Sequence, residues 1–433
     1  MPDALAQFEA LVASFAFAFT SPTARAFSAL VCAWAQRLGR PTARRLMFAA
    51  AGEAGCAASA FARFFRRSRW DFDDLWRHLV ANLVVPALAP EGRLAFSCDD
   101  TTCSKHGRRV AFAGMFLDAA RSAAGNQVKH RAHCWVVMSL QVRLGFCNRV
   151  VGVPVMVRLY VKKADAGPGR PFKTRQRLAL EMARKLAEWL PGREIEVVAD
   201  GAYPSGALVA GLAGLARLVS RMRRDAVLYD LPARPAKRRR GRPRQRGERL
   251  PTPEKLAAQA TGWKAVKALQ YGQVRERLVW TRQVLWWGVA KERPVLLVVV
   301  RDPEGKQADD FFFTTDLGAG AARVAESFAG RWTVEEDFRD AKQLFGFSKV
   351  MGWGEASVER QAPFALLVLS LVKYWHIKCI DLAERPAALP STAQMLADLR
   401  EAFWGRRINE TSMPKAEKGI IIKVLRMALE AAA

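Results

Sequence analysis

Along the first 90 residues apolar side chains recur at three- and four-residue intervals, punctuated by Pro22, Gly39-Arg40-Pro41 and Gly52. That spacing predicts a set of short helices, with 42–50 and 57–67 joined by a Gly-rich turn in helix–turn–helix spacing. From Gly92 the period shortens. Strands are expected over 93–98, 110–116, 134–144 and 150–161, then an amphipathic helix over 173–190. A buried strand over 194–199 ends in Asp200-Gly201-Ala202-Tyr203, and a helix follows from Ser205. Further strands are expected over 273–287, 295–300 and 310–315, and helices over 321–345, 355–383 and 391–430. The apolar run 363–372 stops at Lys373, is too short to span a bilayer, and reads as a buried helix. Strands and helices alternating in this order make a mixed α/β layer.

Composition narrows the class. The chain has 433 residues, 51% of them hydrophobic, which is room for a sizeable core and two to four domains. Lys and Arg number 68 against 41 Asp and Glu, a net charge of +27, so the expected partner is a polyanion, most simply nucleic acid. The charge is concentrated. Residues 37–69 hold eight Arg and one acid, with Arg63, Arg66 and Arg67 on one predicted helix, and residues 234–249 hold nine Lys/Arg and one acid. The first cluster reads as the basic face of a helical DNA-binding unit or as an ordinary solvated face. The second reads as an extended arm. Within it Arg238, Arg239 and Arg240 precede Gly241-Arg242-Pro243, and Arg-Gly-Arg-Pro is the core of a minor-groove hook, although plain phosphate binding accounts for it as well. Seven scattered cysteines are no disulfide framework, and a start with Asp3, Glu9 and no basic residue is no signal peptide, so a cytoplasmic setting is expected. No Gly-rich phosphate loop of the nucleotide-binding kinds occurs, so no nucleotide cofactor is expected, and no membrane partner. The Cys and His residues between Cys98 and Cys134 have spacings that suit no structural zinc site.

Two acids end separate predicted strands: Asp100 after Leu94–Asp99 and Asp200 after 194–199. Strand ends are where α/β sheets place catalytic groups, and converging carboxylates need a cation between them; oxygen ligands suit Mg²⁺ or Mn²⁺. Turn chemistry explains a lone strand-end Asp equally well. The helix over 321–345 adds Phe328, Arg331, Glu335 and Lys342. At about 100° per residue, Glu335 lies about 40° and Lys342 about 20° from Arg331, with Phe328 about 60° away, so the four share one face. Asp99 precedes Asp100 and on a strand faces the other way.

These residues resemble the DDE-type transposases of bacterial insertion sequences, which carry a Y-(2)-R-(3)-E-(6)-K signature. Arg331, Glu335 and Lys342 stand at those spacings, with Phe328 in place of the tyrosine. The settings DDTT around Asp100 and VVADGAY around Asp200 resemble the family's first two acids, and HCWVVMSL, VVVRDP, DDFFFTTDL and RWTVEEDFRDAKQLFG resemble family segments over about 93–383.

The resemblance implies an RNase H-like core, a mixed sheet flanked by helices and interrupted by a β-rich insertion, with helical N- and C-terminal regions. The expected division is a helical DNA-binding domain at 1–90, catalytic core at 91–222 and 317–385, insertion with basic arm at 223–316, and a helical C-terminal region at 386–433. It implies that Asp100, Asp200 and Glu335 hold two Mg²⁺ ions, for which Mn²⁺ can substitute, and that Phe328, Arg331 and Lys342 contact DNA. Trp280, Trp286 and Trp287 in the insertion are candidates to stack on a flipped base, or are core of a small sheet. The function implied is cut-and-paste transposition by a homodimer on double-stranded DNA, with terminal inverted repeats and target DNA as substrates, in a bacterial, nucleoid-associated setting. A stand-alone nuclease of the same fold and a catalytically silent repressor are the rival readings.

Overall fold

The computed structural model describes residues 2–37, 39, 41–49, 58–118, 121–123, 125–232, 244–379 and 389–431. Ten strands form one mixed sheet. They are β1 (Leu94–Ser104), β2 (Gly114–Leu117), β3 (Lys129–Leu144), β4 (Arg149–Tyr160), β5 (Ile195–Ala199), β6 (Arg217–Arg221), β7 (Lys264–Gln270), β8 (Gln273–Val284), β9 (Val295–Arg301) and β10 (Asp310–Thr314). The order runs β3-β1-β5-β6-β10-β9-β8-β7, with β2 and β4 both paired to β3. β1 is antiparallel to β3 and parallel to β5, and β5 is parallel to β6. Three long antiparallel strands followed by two parallel crossovers are an RNase H-like arrangement. The expected mixed sheet flanked by helices is therefore present. The strands of 223–316 do not form a separate sheet: β8, β9 and β10 extend the core sheet past β6.

β3 is almost continuously buried because helices cover both faces of the sheet. The odd-numbered residues of β1 face the helices Ala321–Gly330 and Trp332–Gln343: the Ser97 hydroxyl bonds the Gly330 carbonyl, and Gln141 of β3 reaches Ser97 and the Ser327 carbonyl. The even-numbered residues face the helix Arg175–Trp189. The expected single helix over 321–345 is two helices meeting at Arg331. Gly330 at that joint lies against the Gln141 side chain, where a Cβ would collide.

The long helix Glu355–Cys379 lies on β4, with Ser370 bonded to the Pro154 carbonyl and Lys373 to that of Gly152. Its Phe364 gathers Phe27, Trp34, Phe64 and Phe65 of the N-terminal helices at ring separations of 5.3–5.9 Å, and Trp34 donates to the Phe345 carbonyl. The N-terminal helices thus share the main core with the end of the catalytic layer. Among the described residues no helix is long and apolar enough to cross a membrane.

Candidate active site

Strand register brings the acids together. Cys98 of β1 pairs with Ala199, the last residue of β5, so Asp99 and Asp200 each follow the final pair of this parallel ladder, and the Asp200 charge acts on the Asp99 carboxyl. Asp99 points from the odd-numbered face of β1. That face meets the helix Trp332–Gln343. Arg331 donates from Nη1 to Asp99 Oδ2 and from Nη2 to Glu335 Oε1, each at 2.8 Å. Lys342 donates to the Thr101 hydroxyl at 2.6 Å, two residues farther along β1. Asp99, Thr101, Arg331, Glu335 and Lys342 therefore form one cluster, and the Asp200 charge is felt at Asp99.

Asp100 lies on the opposite face. Its carboxylate accepts from the Tyr203 hydroxyl at 3.1 Å and from the Cys134 thiol at 3.5 Å, and pairs with Arg175 at 3.3 Å. Asp100, the expected first acid, thus stands on the face away from the Arg331 helix, and Asp99 stands on the face towards it. Alternation along a strand does separate the two acids, but the side covered by the Arg331 helix is the odd-numbered one. Polar residues on otherwise apolar strands carry that signal: Ser97, Asp99 and Thr101 on β1, and Ser139 and Gln141 on β3, all with odd numbers and on facing strands.

Electrostatics single out the same residue. Burial pushes the Asp99 carboxyl up to about 6; Arg331 opposes this, while the neighbouring Asp100 and Asp200 charges add to it. The Arg331 side chain is only 12% exposed, and its Nε is buried without a hydrogen-bond partner. One guanidinium thus already bridges two carboxylates, with a third beside them. Among the described residues no three His, Cys, Asp or Glu side chains stand close enough to share a metal ion. Even so, an all-carboxylate set gathered around one cation is chemically suited to Mg²⁺ or Mn²⁺.

Buried groups fix the helix behind these side chains. Asp337, two residues after Glu335, is fully buried, accepts from Ser139 of β3 and pairs with Lys373 at 2.5 Å. Gly152 of β4 lies against the Asp337 carboxylate where any Cβ would collide. On the Asp200 side, the backbone carbonyl of Asp200 accepts from Ser220 and from the Tyr203 N–H, both at 3.0 Å.

Other expected contacts divide. Phe328 is buried against Phe312 at 4.5 Å, with the Arg331 and Arg221 guanidinium groups each 5.5 Å from its ring, so it packs under Arg331. Trp286 is buried edge-on against Phe313 at 5.2 Å. Trp280 is half-buried beside the main core, and Trp287 is half-buried with Arg246 over its ring. Arg63, Arg66 and Arg67 are exposed. Arg238, Arg239, Arg240 and Arg242 lie outside the described residues, as does the turn between the two N-terminal helices. Sequence reasoning set Asp99 aside as facing the other way, and did not single out Thr101, which bonds Lys342, or the exposed Trp353.

A comparison with curated proteins finds no significant match. Residues 15–286 match the family described as DDE superfamily endonuclease. The match includes Asp99, Asp100 and Asp200 and ends before the Arg331 helix. It covers well over half of the chain and agrees with the RNase H-like sheet, and the chain accordingly belongs to the DDE superfamily endonucleases.

Proposed function

We propose that this endonuclease is a cut-and-paste DNA transposase whose metal-binding carboxylates are Asp99, Asp200 and Glu335. The observation that carries the reading is the convergence on one guanidinium of acids from β1 and the signature helix, with Asp200 directly after the β5 residue that pairs with Cys98. Mg²⁺ bound there, as two ions, would supply charge neutralisation and activation of the attacking oxygen in phosphoryl transfer.

The chain's own residues do the rest. Arg331, with an unused buried Nε, and Lys342 are the cations placed to take the scissile phosphate, Arg by its planar fork and Lys as a point charge. Engaging a phosphate draws Arg331 away from Asp99 and Glu335 and frees both carboxylates as ligands. Phe328 supports the Arg331 guanidinium from below, and Ser220 and Tyr203 fix the Asp200 backbone.

Binding of transposon ends belongs in this reading to the N-terminal helices, through Arg63, Arg66 and Arg67, and to the basic arm. Two ends need two active sites, so the working form on DNA is a homodimer, acting on terminal inverted repeats and target DNA in a bacterial nucleoid. Incubation of the protein with DNA carrying candidate inverted repeats and Mg²⁺, scored for cleavage and for joining, tests it. Cleavage with joined product supports the transposase. Cleavage without joining supports the stand-alone nuclease. Sequence-specific binding with no cleavage at any Mg²⁺ or Mn²⁺ concentration overturns both.

A further inference from the structure

The odd-numbered ladder on β1 continues past the acids. Asp99 meets Arg331, Thr101 meets Lys342, and Lys105, just beyond the strand, turns its ammonium into the segment 346–354 that follows the signature helix. There it donates to the Ser348 carbonyl at 3.0 Å and the Val350 carbonyl at 3.3 Å. The same segment is held twice more. The Trp353 carbonyl accepts from the Ala111 N–H at 2.9 Å, and the Gly352 N–H donates to Gln361 at 2.8 Å. A Cβ on Gly352 would stand 2.7 Å from Ser357 and 3.0 Å from Gln361, so the backbone is also closely packed.

This well-anchored backbone presents large apolar side chains to solvent. Trp353 is 66% exposed and Met351 59%. Exposure of that area does nothing for the fold, and a rigid backbone removes most of the ordering cost of using it to bind. The surroundings are basic: Arg108 and Arg109 on the adjoining loop and Lys349, four residues before Trp353 in the same segment, are exposed, with Glu355 as an exposed acid two residues after it. Six residues of strand at about 3.3 Å each put Lys105 roughly 20 Å from Asp99, the rise of about six base pairs of duplex.

We propose that the segment 346–354 is a second contact with the substrate DNA, in which Trp353, with Met351 beside it, stacks on an unpaired base while Arg108, Arg109 and Lys349 hold the flanking phosphates. An aromatic ring on a fixed backbone amid cations is the combination that binds unstacked bases without reading sequence. The inference rests on the reading of the chain as a DNA-cleaving enzyme.

The test measures binding by fluorescence anisotropy for the full chain with labelled duplexes, one fully paired and others with a single unpaired nucleotide stepped along the strand. Trp353→Ala is expected to weaken binding about fivefold or more to the duplex with the best-placed unpaired base. Its dependence on log salt stays that of the wild type, and Trp353→Phe restores most of the affinity. Arg108→Ala with Arg109→Ala is expected to lower the salt slope instead. Thermal melting of Trp353→Ala matches the wild type, since the ring is exposed. Equal affinity of wild type and Trp353→Ala for every duplex overturns this contact alone. Failure of the wild type to bind any DNA overturns the proposed function and this contact with it.

Discussion

Replacing Lys373 by Met should destabilise the protein by about 3 kcal/mol or more. The ammonium is 4% exposed and its partner Asp337 is fully buried. The pair also engages Ser139 of β3 and the Gly152 carbonyl of β4, so it links two helices to two strands. Met matches the length of the lysine stem but leaves a buried carboxylate with Ser139 as its remaining bonded partner among these groups. Breaking such a pair from one side costs about 3–5 kcal/mol, because the survivor is a buried, uncompensated charge. Burial already raises the Asp337 carboxyl above the ordinary range, so without Lys373 it takes up a proton, which keeps the loss near the lower end. Equilibrium urea unfolding followed by tryptophan fluorescence measures the difference. The double variant Asp337→Leu, Lys373→Met should recover much of it, since no charge remains. A Lys373→Met protein within about 1 kcal/mol of wild type, or a double variant whose destabilisation equals the sum of the two single ones, refutes the reasoning.

Gly152→Ala should cost about 1–3 kcal/mol by overpacking, since its Cβ would overlap the Asp337 carboxylate and stand 2.9 Å from the Ser139 hydroxyl; the same unfolding assay checks it. His133 is buried and its pKa is lowered to about 4, first by burial and then by Lys105 and Arg131, against the bond to the Ala111 carbonyl. The native state therefore refuses a proton that the unfolded chain accepts below about 6.5, so stability falls as pH drops from about 6.5 towards 4, by at most about 1.4 kcal/mol per unit from this group. His133→Gln should flatten that part of the profile, and an unchanged slope contradicts the assignment. Replacing Arg238, Arg239 and Arg240 by Ala should weaken DNA binding and reduce the slope of log affinity against log salt by about one for each phosphate no longer neutralised; an identical slope means the arm does not touch the DNA.

Much of this site was legible in the sequence, and the failures have particular causes. The shared face of Arg331, Glu335 and Lys342 follows from helical period, and the hydrogen bonds to Asp99 and Thr101 agree with it. Which of Asp99 and Asp100 faces the Arg331 helix did not follow, because period two says that neighbours oppose each other and not which side a distant helix covers. β1 also runs on to Ser104, so both acids lie within the strand and not at its end. β6 and β7 were missed: one is five residues flanked by Arg217 and Arg221, and the other is Lys- and Ala-rich, so neither shows a strong alternation. Whether Trp286 is a free ring or sheet core was left open by the sequence, because its burial depends on Phe313, 27 residues later in the chain, which only the completed sheet brings near.

The central claim is that Asp99, Asp200 and Glu335 form the metal-binding face and that Asp100 does not. Cleavage of end-bearing DNA as a function of Mg²⁺ concentration, compared among Asp99→Asn, Asp100→Asn, Glu335→Gln and Glu336→Gln proteins of verified fold and DNA affinity, tests it most directly. The account predicts that Asp99→Asn and Glu335→Gln abolish cleavage at every Mg²⁺ concentration. Asp100→Asn, which loses charge beside Arg175 and Tyr203, and Glu336→Gln, whose carboxylate is 3.9 Å from Arg149, should still cleave. A dead Asp100→Asn beside an active Asp99→Asn would contradict the account and return the first acid to the other face of the sheet.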